Sequence, residues 1–354
     1  MDPVVIYSKE ALPVEIQIRK GEHKLGERIL FMKRGENLKD LPAYAERGTR
    51  FLLLGIPESI GPMANYGKCC TDHAWKAFLE FFLNMHSNRF FGGDNILCLG
   101  HVDTRPLNEA ASILTPLDPE YIAKLRSLCS RLDELVFPVV EAVVSAGMVP
   151  IVIGGGNNNS YAVLKGVSRA LKSLQGIQAV NCDPHADFRP LEGRHSGNGF
   201  SYAYQEGYLK RYFVIGLHEN YNSEAVLTEF DGNPDLDYSS FDRLAGLSEH
   251  LAKGLEFLGH SSLPVGIEVD MDSMIDMPSS ARTPSGFSVE EVRRFIRTVS
   301  SKYETAYLHL SEGAPVPGTM DMVKVGKSLA YLVLDFMKSN RAMPPNASAG
   351  DRSV

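Results

Sequence analysis

The chain has 354 residues, 44% of them hydrophobic, and a formal net charge of −7. This charge balance, without a long basic or acidic run, argues against a nucleic-acid partner. No apolar run reaches the ~20 residues of a bilayer span, and no basic segment followed by an apolar stretch marks a signal peptide. The five cysteines lack zinc-type spacing, which favours free thiols in a reducing compartment. We therefore expect a cytoplasmic protein with no membrane contact.

Short apolar runs alternate with longer segments of helical periodicity along most of the chain. The apolar runs predict strands at 50–57, 95–102, 148–156, 177–183, 212–218, 263–272 and 305–315. Between them, the periodicity predicts helices at 121–146, 160–174, 241–258, 288–302 and 323–338. This alternation predicts an α/β fold with a mainly parallel sheet that is covered by helices on both faces.

No internal repeat and no linker-like change of composition divides the chain. We therefore predict an irregular N-terminal lead-in over residues 1–45, one α/β domain over 46–338 and a disordered tail over 339–354. Ligands of such folds collect at the carboxyl ends of the strands, so the residues that follow each strand are the candidates for function.

Two acidic clusters follow predicted strands. Asp183, His185 and Asp187 stand at alternate positions after one apolar run, and Asp270 and Asp272 stand two apart after another. Side chains at alternate positions of an extended segment point to the same side. Carboxylates with one imidazole suit Mn²⁺, Mg²⁺ or Fe²⁺ better than structural zinc. The alternative is that these residues cap helices or pair with arginines.

A third strand end presents Glu312, in the segment YLHLSEGAP. On its own, such a glutamate is a solvated or capping group. Beside a metal centre it becomes a candidate for binding a guanidinium or amidinium group, because a carboxylate accepts two parallel N–H bonds.

These strand ends, in this order, resemble the signatures of the ureohydrolases, the arginase/agmatinase/formimidoylglutamase family. The matching segments are GGGN (154–157), DPHAD (183–187), EVDMD (268–272) and SEG (311–313), together with SGNGF (196–200). The resemblance covers residues 50–340 and is closest to the formimidoylglutamase-like branch. It implies a three-layer α/β/α sandwich, assembly into homotrimers or hexamers, and two Mn²⁺ ions.

The resemblance also implies which residues bind the ions. Five manganese ligands are carried over by position: Asp183, His185, Asp187, Asp270 and Asp272. Asn157 stands where the family has a further histidine ligand, so it is expected to offer its carbonyl oxygen instead. Because a neutral carbonyl is a weaker ligand than imidazole, one of the two ions is expected to bind weakly.

Catalytic and substrate-binding roles follow from the same resemblance. Asp187 is expected to pass a proton to the leaving amine, and Glu312 to bind the planar nitrogen group of the substrate. His195 is a candidate proton shuttle, because Phe200 occupies the position of the loop histidine of arginases; the alternative is an ordinary loop histidine. Asn198 and His218 are candidate substrate-binding residues, and Arg189 or Arg194 is a candidate to bind a substrate carboxylate.

Two functional hypotheses remain open. The first is a manganese-dependent hydrolase in which metal-bound hydroxide cleaves the C–N bond of a small guanidino or formimino compound. The second is a weak or inactive homologue that serves as a binding or assembly protein, which Asn157 motivates. A nucleotide-binding module is disfavoured because no G-x-G-x-x-G follows a strand and opens a helix.

Overall fold

The structure, a computed structural model, describes residues 3–171 and 176–340. Within these ranges, ten strands form one sheet. They are β1 (Val4–Ile6), β2 (Leu30–Phe31), β3 (Phe51–Gly55), β4 (Ile96–Val102), β5 (Val149–Ile153), β6 (Ile177–Cys182), β7 (Leu209–Leu217), β8 (Leu236–Ser240), β9 (Val265–Asp270) and β10 (Thr305–Ser311). The strand order is β1-β4-β3-β5-β10-β9-β6-β7-β8, with β2 paired to β4. All pairs are parallel except β1 with β4.

Helices cover both faces of this sheet. They are α1 (Leu25–Arg28), α2 (Leu41–Glu46), α3 (Ile60–Ala64), α4 (Ala74–Phe82), α5 (Arg105–Ser112), α6 (Tyr121–Ser145), α7 (Asn159–Ala170), α8 (Gly199–Gln205), α9 (Glu224–Gly232), α10 (Leu247–Gly259), α11 (Val289–Lys302) and α12 (Met320–Ser339). Alternate residues of β3 enter opposite cores. Leu52 and Leu54 pack with α6 and α7, whereas Phe51 and Leu53 pack with α4 and α12. The predicted α/β fold with a mainly parallel, doubly covered sheet is thus confirmed.

The central strands of the sheet end at the same edge. Ser311 at the end of β10 pairs with Asp270 at the end of β9, and Cys182 at the end of β6 pairs with Val269 of β9. On the other side of β10, Leu310 pairs with Ile153 of β5. The segments that leave β5, β6, β9 and β10 therefore start side by side.

Each predicted strand and helix overlaps an observed one, but the lead-in differs from its prediction. Residues 1–45 were expected to be irregular, yet they contain β1, α1, β2 and the start of α2. The correction has a physical reason: β1 pairs antiparallel with β4, with Val4 opposite Val102, and covers an edge that would otherwise expose unpaired backbone groups.

Two other predicted segments, the tail and the helix over 160–174, extend beyond the described residues. The predicted tail over 339–354 lies outside the described residues beyond Asn340, and Ser339 still belongs to α12. The helix predicted over 160–174 is described only to residue 171, and α7 ends at Ala170. None of the helices in the described ranges combines the length and apolarity of a bilayer span.

Candidate metal centre

The segments that follow β6 and β10 turn sharply at residues that bear carboxylates. Asp187 and Glu312 have left-handed backbones, with φ of 48° and 62°, a conformation that costs a residue with a side chain roughly 1–2 kcal/mol. Hydrogen bonds hold Glu312 in place: its N–H donates to the Gly155 carbonyl (2.9 Å), and its own carbonyl accepts from the Ser280 N–H (3.0 Å). The local fold therefore holds these two carboxylates at the sheet edge.

Three of the predicted ligands meet at this edge. The ligand atoms of Asp183, His185 and Asp270 all lie within 4.8 Å of one another. Local hydrogen bonds orient them, because Asp183 Oδ1 accepts from the His185 N–H (2.7 Å) and Asp270 Oδ1 accepts from the Asp272 N–H (2.7 Å). Two carboxylates and one imidazole are a donor set that suits a divalent cation such as Mn²⁺. These residues fit one such ion.

Three carboxylate oxygens of the centre surround the side-chain nitrogen of Asn157. Its Nδ2 lies 3.0 Å from Asp183 Oδ2, 2.8 Å from Asp187 Oδ2 and 3.0 Å from Asp270 Oδ2. An amide nitrogen carries only two protons, so three acceptors share two donors. Asn157 therefore links three of the predicted metal ligands through its nitrogen.

The carbonyl oxygen of Asn157 points the other way. Ser311 Oγ donates to Asn157 Oδ1 at 2.7 Å, and Ser160 Oγ lies 3.2 Å from the same oxygen. The prediction that this oxygen serves as a metal ligand is therefore not reproduced in this arrangement. The reason is electrostatic: N–H groups stabilise neighbouring carboxylates, whereas a carbonyl oxygen in the same place would be repelled by them.

A buried polar network lies beneath this amide. Ser160 Oγ is 3.0 Å from Glu268 Oε2, which also lies 2.7 Å from His309 Nδ1. Tyr307 donates its hydroxyl proton to Glu268 Oε1 at 2.6 Å. Glu268 stands in the matching segment EVDMD, where sequence reasoning assigned it no ligand role. The network instead places Glu268 behind Ser160, which contacts Asn157.

Burial and like charge raise the pKa values of the carboxyl groups. Burial, followed by the charge of Asp183, raises the pKa of Asp187 to about 8. Burial, with Asp272 as the next cause, raises the pKa values of Asp270 and Glu312 well above their usual range. Burial likewise raises the pKa of Asp272. A divalent cation relieves such crowding because it lowers the free energy of the ionised carboxylates.

The imidazole of His185 belongs to the same electrostatic system. Burial works to lower its pKa, but the hydrogen bond and the charge of Asp183 outweigh burial and raise the pKa to about 10. A metal ligand must instead be neutral imidazole. Cation binding at this site is thus expected to release a proton from His185.

A pocket of about 340 Å³ opens above these residues. Its acidic lining is formed by Asp187, Asp270, Asp272 and Glu312, next to His185. Glu312 Oε1 accepts from the Asn157 N–H (2.7 Å), while its buried Oε2 has no hydrogen-bond partner within the described part of the chain. The pocket therefore offers one free carboxylate oxygen close to the candidate metal ligands.

The outer wall of the same pocket has the opposite charge. Lys68 and Arg189 line it and are exposed, and neither has an ion-pair partner among residues 3–171 and 176–340. Tyr221 lines the same pocket and stacks on His185 with ring centroids 5.4 Å apart. Sequence reasoning missed both Lys68 and Tyr221.

His195 does not reach the pocket lining. Its ring is fully buried, where Nδ1 accepts from the Gly197 N–H (3.1 Å) and Nε2 lies 3.2 Å from Glu192 Oε1. Burial, aided by the charge of Arg126, lowers the pKa of His195 to about 4. The ring stabilises the loop that precedes α8, so the placement expected for a catalytic proton shuttle is not reproduced.

Two of the predicted substrate-binding residues, Asn198 and Arg194, are not part of the pocket lining. Asn198 Oδ1 accepts from Arg194 Nη1 (2.7 Å) and from the His195 N–H (3.0 Å), and its Nδ2 donates to the Gly193 carbonyl (2.8 Å). Its amide is therefore occupied by its own loop, and the predicted contact with substrate is not reproduced. Arg194 is likewise engaged, since Asp133 accepts from its Nε at 2.9 Å.

His218 is also absent from the pocket lining. Its ring stacks on Phe241, with centroids 4.7 Å apart, and on Tyr221 at 5.2 Å. Its role in the structure is to support Tyr221, which itself lines the pocket, so the direct substrate contact predicted for His218 is not reproduced.

Comparison with known proteins places these features in context. A sequence model described as the arginase family matches residues 93–334. Formimidoylglutamase of Macrococcus caseolyticus is 31% identical over 172 residues, or 47% of this chain and 53% of the relative. That of Geobacillus thermodenitrificans is 29% identical over 182 residues, or 50% and 56%. The chain thus matches about half the length of these curated relatives.

Solved structures share the fold over most of the chain. Formimidoylglutamase of Bacillus subtilis gives a TM-score of 0.71 at 17% identity and covers 92% of this chain and 94% of its own. Formiminoglutamase of Trypanosoma cruzi with Mn²⁺ gives 0.68 at 19% identity, with 90% and 100% covered. An asparagine-to-histidine variant of the latter protein, also with Mn²⁺, gives 0.68 at 18% identity, with 90% and 99% covered. At these identities the similarity establishes a common fold.

Proposed function

Because the chain belongs to the arginase family, we propose that it is a manganese-dependent hydrolase of a linear amidine. The proposed substrate class is a formimino or guanidino compound that also carries carboxylates, of the N-formimidoyl-glutamate type. The observation that carries this proposal is the charge arrangement of one pocket, which buried carboxylates line on one side and the exposed cations Lys68 and Arg189 on the other. A substrate with a cationic amidinium at one end and carboxylates at the other complements both.

The metal ligands form the inner end of the proposed site. Asp183, His185 and Asp270 are placed to hold one divalent ion, and Asp187 and Asp272 border the same space. When bound, divalent ions polarise the amidine and lower the pKa of a water molecule so that it can attack near neutral pH. The fit of the donor set supports Mn²⁺ as the metal.

Glu312 is the proposed anchor for the reacting group. Its free Oε2 faces a pocket that is otherwise lined by candidate metal ligands. An amidinium N–H that donates to this oxygen makes a charge-assisted hydrogen bond, which is about twice as strong as a neutral one. This contact orients the planar carbon of the amidine toward the metal ligands.

Asp187 is the proposed proton carrier. Its Oδ2 accepts from Asn157 at 2.8 Å, and the residue lines the pocket. A carboxylate in this position can accept a proton from the attacking water and return it to the leaving amine.

Arg189 and Lys68 are proposed to bind the substrate carboxylates. The Arg189 side chain crosses Gly197 closely, since a Cβ added at Gly197 would lie 2.9 Å from Arg189 Cδ. Gly197 therefore leaves the space in which this side chain runs along the pocket. Two cations at the mouth favour a dicarboxylate tail over an uncharged or cationic one.

The test is a substrate panel assayed with Mn²⁺ and with chelator. We expect N-formimidoyl-glutamate to release formamide or ammonia in a metal-dependent way, and agmatine, which lacks a carboxylate, to react far more slowly. Glu312→Gln should abolish turnover while leaving metal content unchanged. Absence of product from every formimino and guanidino compound, at full metal loading, would refute the proposal.

A second candidate function is a binding or assembly protein without turnover. The observation that favours it is the contact of the Asn157 amide with three carboxylates, which occupies the space where a further ion would need them. Asn157→His separates the two proposals. If Asn157→His gains much metal and activity, the unaltered chain has lost a working site, and the second function is favoured. If the unaltered chain already turns substrate over efficiently and the variant gains little, the second function is excluded.

A further inference from the structure

Cys69 and Cys70 form a pair of adjacent thiols whose sulfur atoms lie 3.3 Å apart. Side chains of neighbouring residues in an extended chain point to opposite sides. Here the backbone of Cys70 is left-handed, with φ of 84°, which brings the two side chains together. Because this conformation costs roughly 1–2 kcal/mol for a residue other than glycine, the surrounding structure must hold it.

The residues after the pair provide that support. Thr71 Oγ1 donates to the Glu58 carbonyl at 2.6 Å, and Ser59 Oγ donates to Asp72 Oδ1 at 2.9 Å. These hydrogen bonds tie the chain after Cys70 to the segment before α3. The close approach of the two thiols is thus set by a structured turn.

The pair also differs in accessibility from the other cysteines of the chain. Cys98, Cys129 and Cys182 are fully buried, whereas Cys69 is exposed and Cys70 half-buried. Burial raises the pKa values of Cys98 and Cys182 to about 12, which suppresses their thiolates. An oxidant in solution therefore meets the pair first.

We propose that Cys69 and Cys70 are a reversible oxidation site that closes to a disulfide between adjacent residues when the protein meets a peroxide. The Cys69 thiol gives its proton to solvent, and the thiolate attacks one peroxide oxygen. The O–O bond breaks, Cys69 becomes a sulfenic acid, and the leaving hydroxide takes up a proton to become one water. The Cys70 sulfur then attacks the Cys69 sulfur, the S–O bond breaks, and a second water leaves. Two thiols are oxidised, and one peroxide is reduced to two waters.

The geometry assigns the two roles. Closure needs the sulfurs to move from 3.3 Å to the ~2.05 Å of an S–S bond, a shift that side-chain rotation and a small backbone adjustment can supply. Burial, followed by the neighbouring Cys69, raises the pKa of Cys70 to about 11. The exposed Cys69 is therefore the attacking thiol, and Cys70 is the resolving one.

The pair stands directly beside the pocket. Residues 65–68 line it and end in Lys68, the cation next to Cys69. Ring closure restrains this segment and changes where Lys68 can reach. If the pocket binds carboxylates, as the proposed function holds, oxidation should raise the KM for such substrates and leave kcat almost unchanged.

The oxidation itself is tested by mass spectrometry and does not depend on activity. Native protein is treated with hydrogen peroxide, alkylated after unfolding, and digested with trypsin. Cleavage after Lys68 and Lys76 yields the peptide 69–76, CCTDHAWK, which contains both cysteines of the pair. We expect this peptide to lose two hydrogen atoms and to escape alkylation, with reversal by dithiothreitol.

Matched variants make the result decisive. Cys69→Ser and Cys70→Ser should each prevent the loss of two hydrogens, whereas Cys182→Ser should leave it intact. Full alkylation of the peptide 69–76 after peroxide, conversion to sulfinic or sulfonic acid, or cross-linking between chains would each overturn the proposal. A KM that is equal in reduced and oxidised protein would remove the link to the pocket. A chain with no turnover would refute the proposed function while the mass measurement still decides the oxidation site.

Discussion

Asn157→Asp is the substitution that most directly tests the centre. It keeps the shape of the side chain but replaces the amide nitrogen, which lies 2.8–3.0 Å from Asp183, Asp187 and Asp270, by an oxygen. Ser311 can still donate to the other oxygen. The change therefore removes two N–H donors and adds a fourth carboxylate, with little effect on packing.

The magnitude follows from comparing two free energies. Two unit charges about 3 Å apart repel by about 5–6 kcal/mol at an effective dielectric of ~20. Keeping one carboxyl group protonated at pH 7 costs less than this repulsion, about 4 kcal/mol. We therefore expect the variant to take up a proton rather than carry the additional charge. It also loses one charge-assisted hydrogen bond, of about 1.5–3 kcal/mol. We expect metal-free Asn157→Asp protein to be less stable by about 5.5–7 kcal/mol at pH 7, and by about 1.5–3 kcal/mol near pH 4.

Urea unfolding in chelator, at both pH values, measures this difference. The matched control is Asn222→Asp, because Asn222 Nδ2 donates to the carbonyls of Pro184 (3.1 Å) and His218 (2.8 Å) and hydrogen-bonds to no carboxylate among residues 3–171 and 176–340. Its Oδ1 accepts from the Ala186 N–H (2.8 Å), a bond that the substitution keeps. The control should lose about 1–3 kcal/mol, and Mn²⁺ should restore the Asn157 variant more than the control. A metal-free Asn157→Asp protein within about 1 kcal/mol of the unaltered chain at pH 7 would refute the electrostatic reasoning.

Three further predictions follow from the same structure. The pKa of Asp187 is about 8 in the folded chain against an ordinary 3.8, so between these pH values the folded state binds more protons than the unfolded state. The free energy of unfolding of the metal-free protein should therefore fall as pH rises from about 4 to 8. A flat profile of urea midpoints against pH in chelator would contradict this, and Mn²⁺ should reverse the trend. Arg189→Leu should raise the KM for a dicarboxylate formimino substrate about 10–100-fold with less effect on kcat; an unchanged KM would remove its role. His195→Ala should lower the unfolding free energy by about 1–2 kcal/mol, because Gly197 loses its acceptor, yet keep kcat; a collapse of kcat in folded protein would restore the shuttle role.

The sequence predicted the central fold because the parallel strands are buried on both faces and appear as continuous apolar runs. The strands it missed lack that signal. In β8, the segment LDYSS is polar, and only Leu236 and the last two serines are buried. The two-residue β2 and the three-residue β1 are too short for any periodicity. Short or peripheral strands depend on pairing with distant segments, which a single sequence does not display.

The proximity of the candidate metal ligands was predictable because two tight motifs place them two residues apart, and hydrogen bonds within those motifs orient them. The orientation of Asn157 was not predictable in the same way. It depends on Ser311 from β10 and Ser160 from α7, which are 151 residues apart in the numbering and meet only in the folded chain. The same holds for His195, whose ring faces Glu192 within its own loop although its sequence position is compatible with the pocket.

The amide of Asn157 links the stability of the metal-free chain to its capacity for metal. Its N–H groups partly neutralise three carboxylates that would otherwise repel, but a divalent ion carries two full charges and stabilises the same oxygens more strongly. For Asn157 to contribute a ligand to such an ion, the amide would have to turn its carbonyl oxygen inward. Serine hydroxyls accept as well as donate, so Ser311 and Ser160 can satisfy the amide in either orientation. A histidine at this position offers no such exchange, because its ring nitrogen either binds metal or carries a proton. Any difference in affinity between a first ion at Asp183, His185 and Asp270 and a second ion would therefore originate in this one side chain.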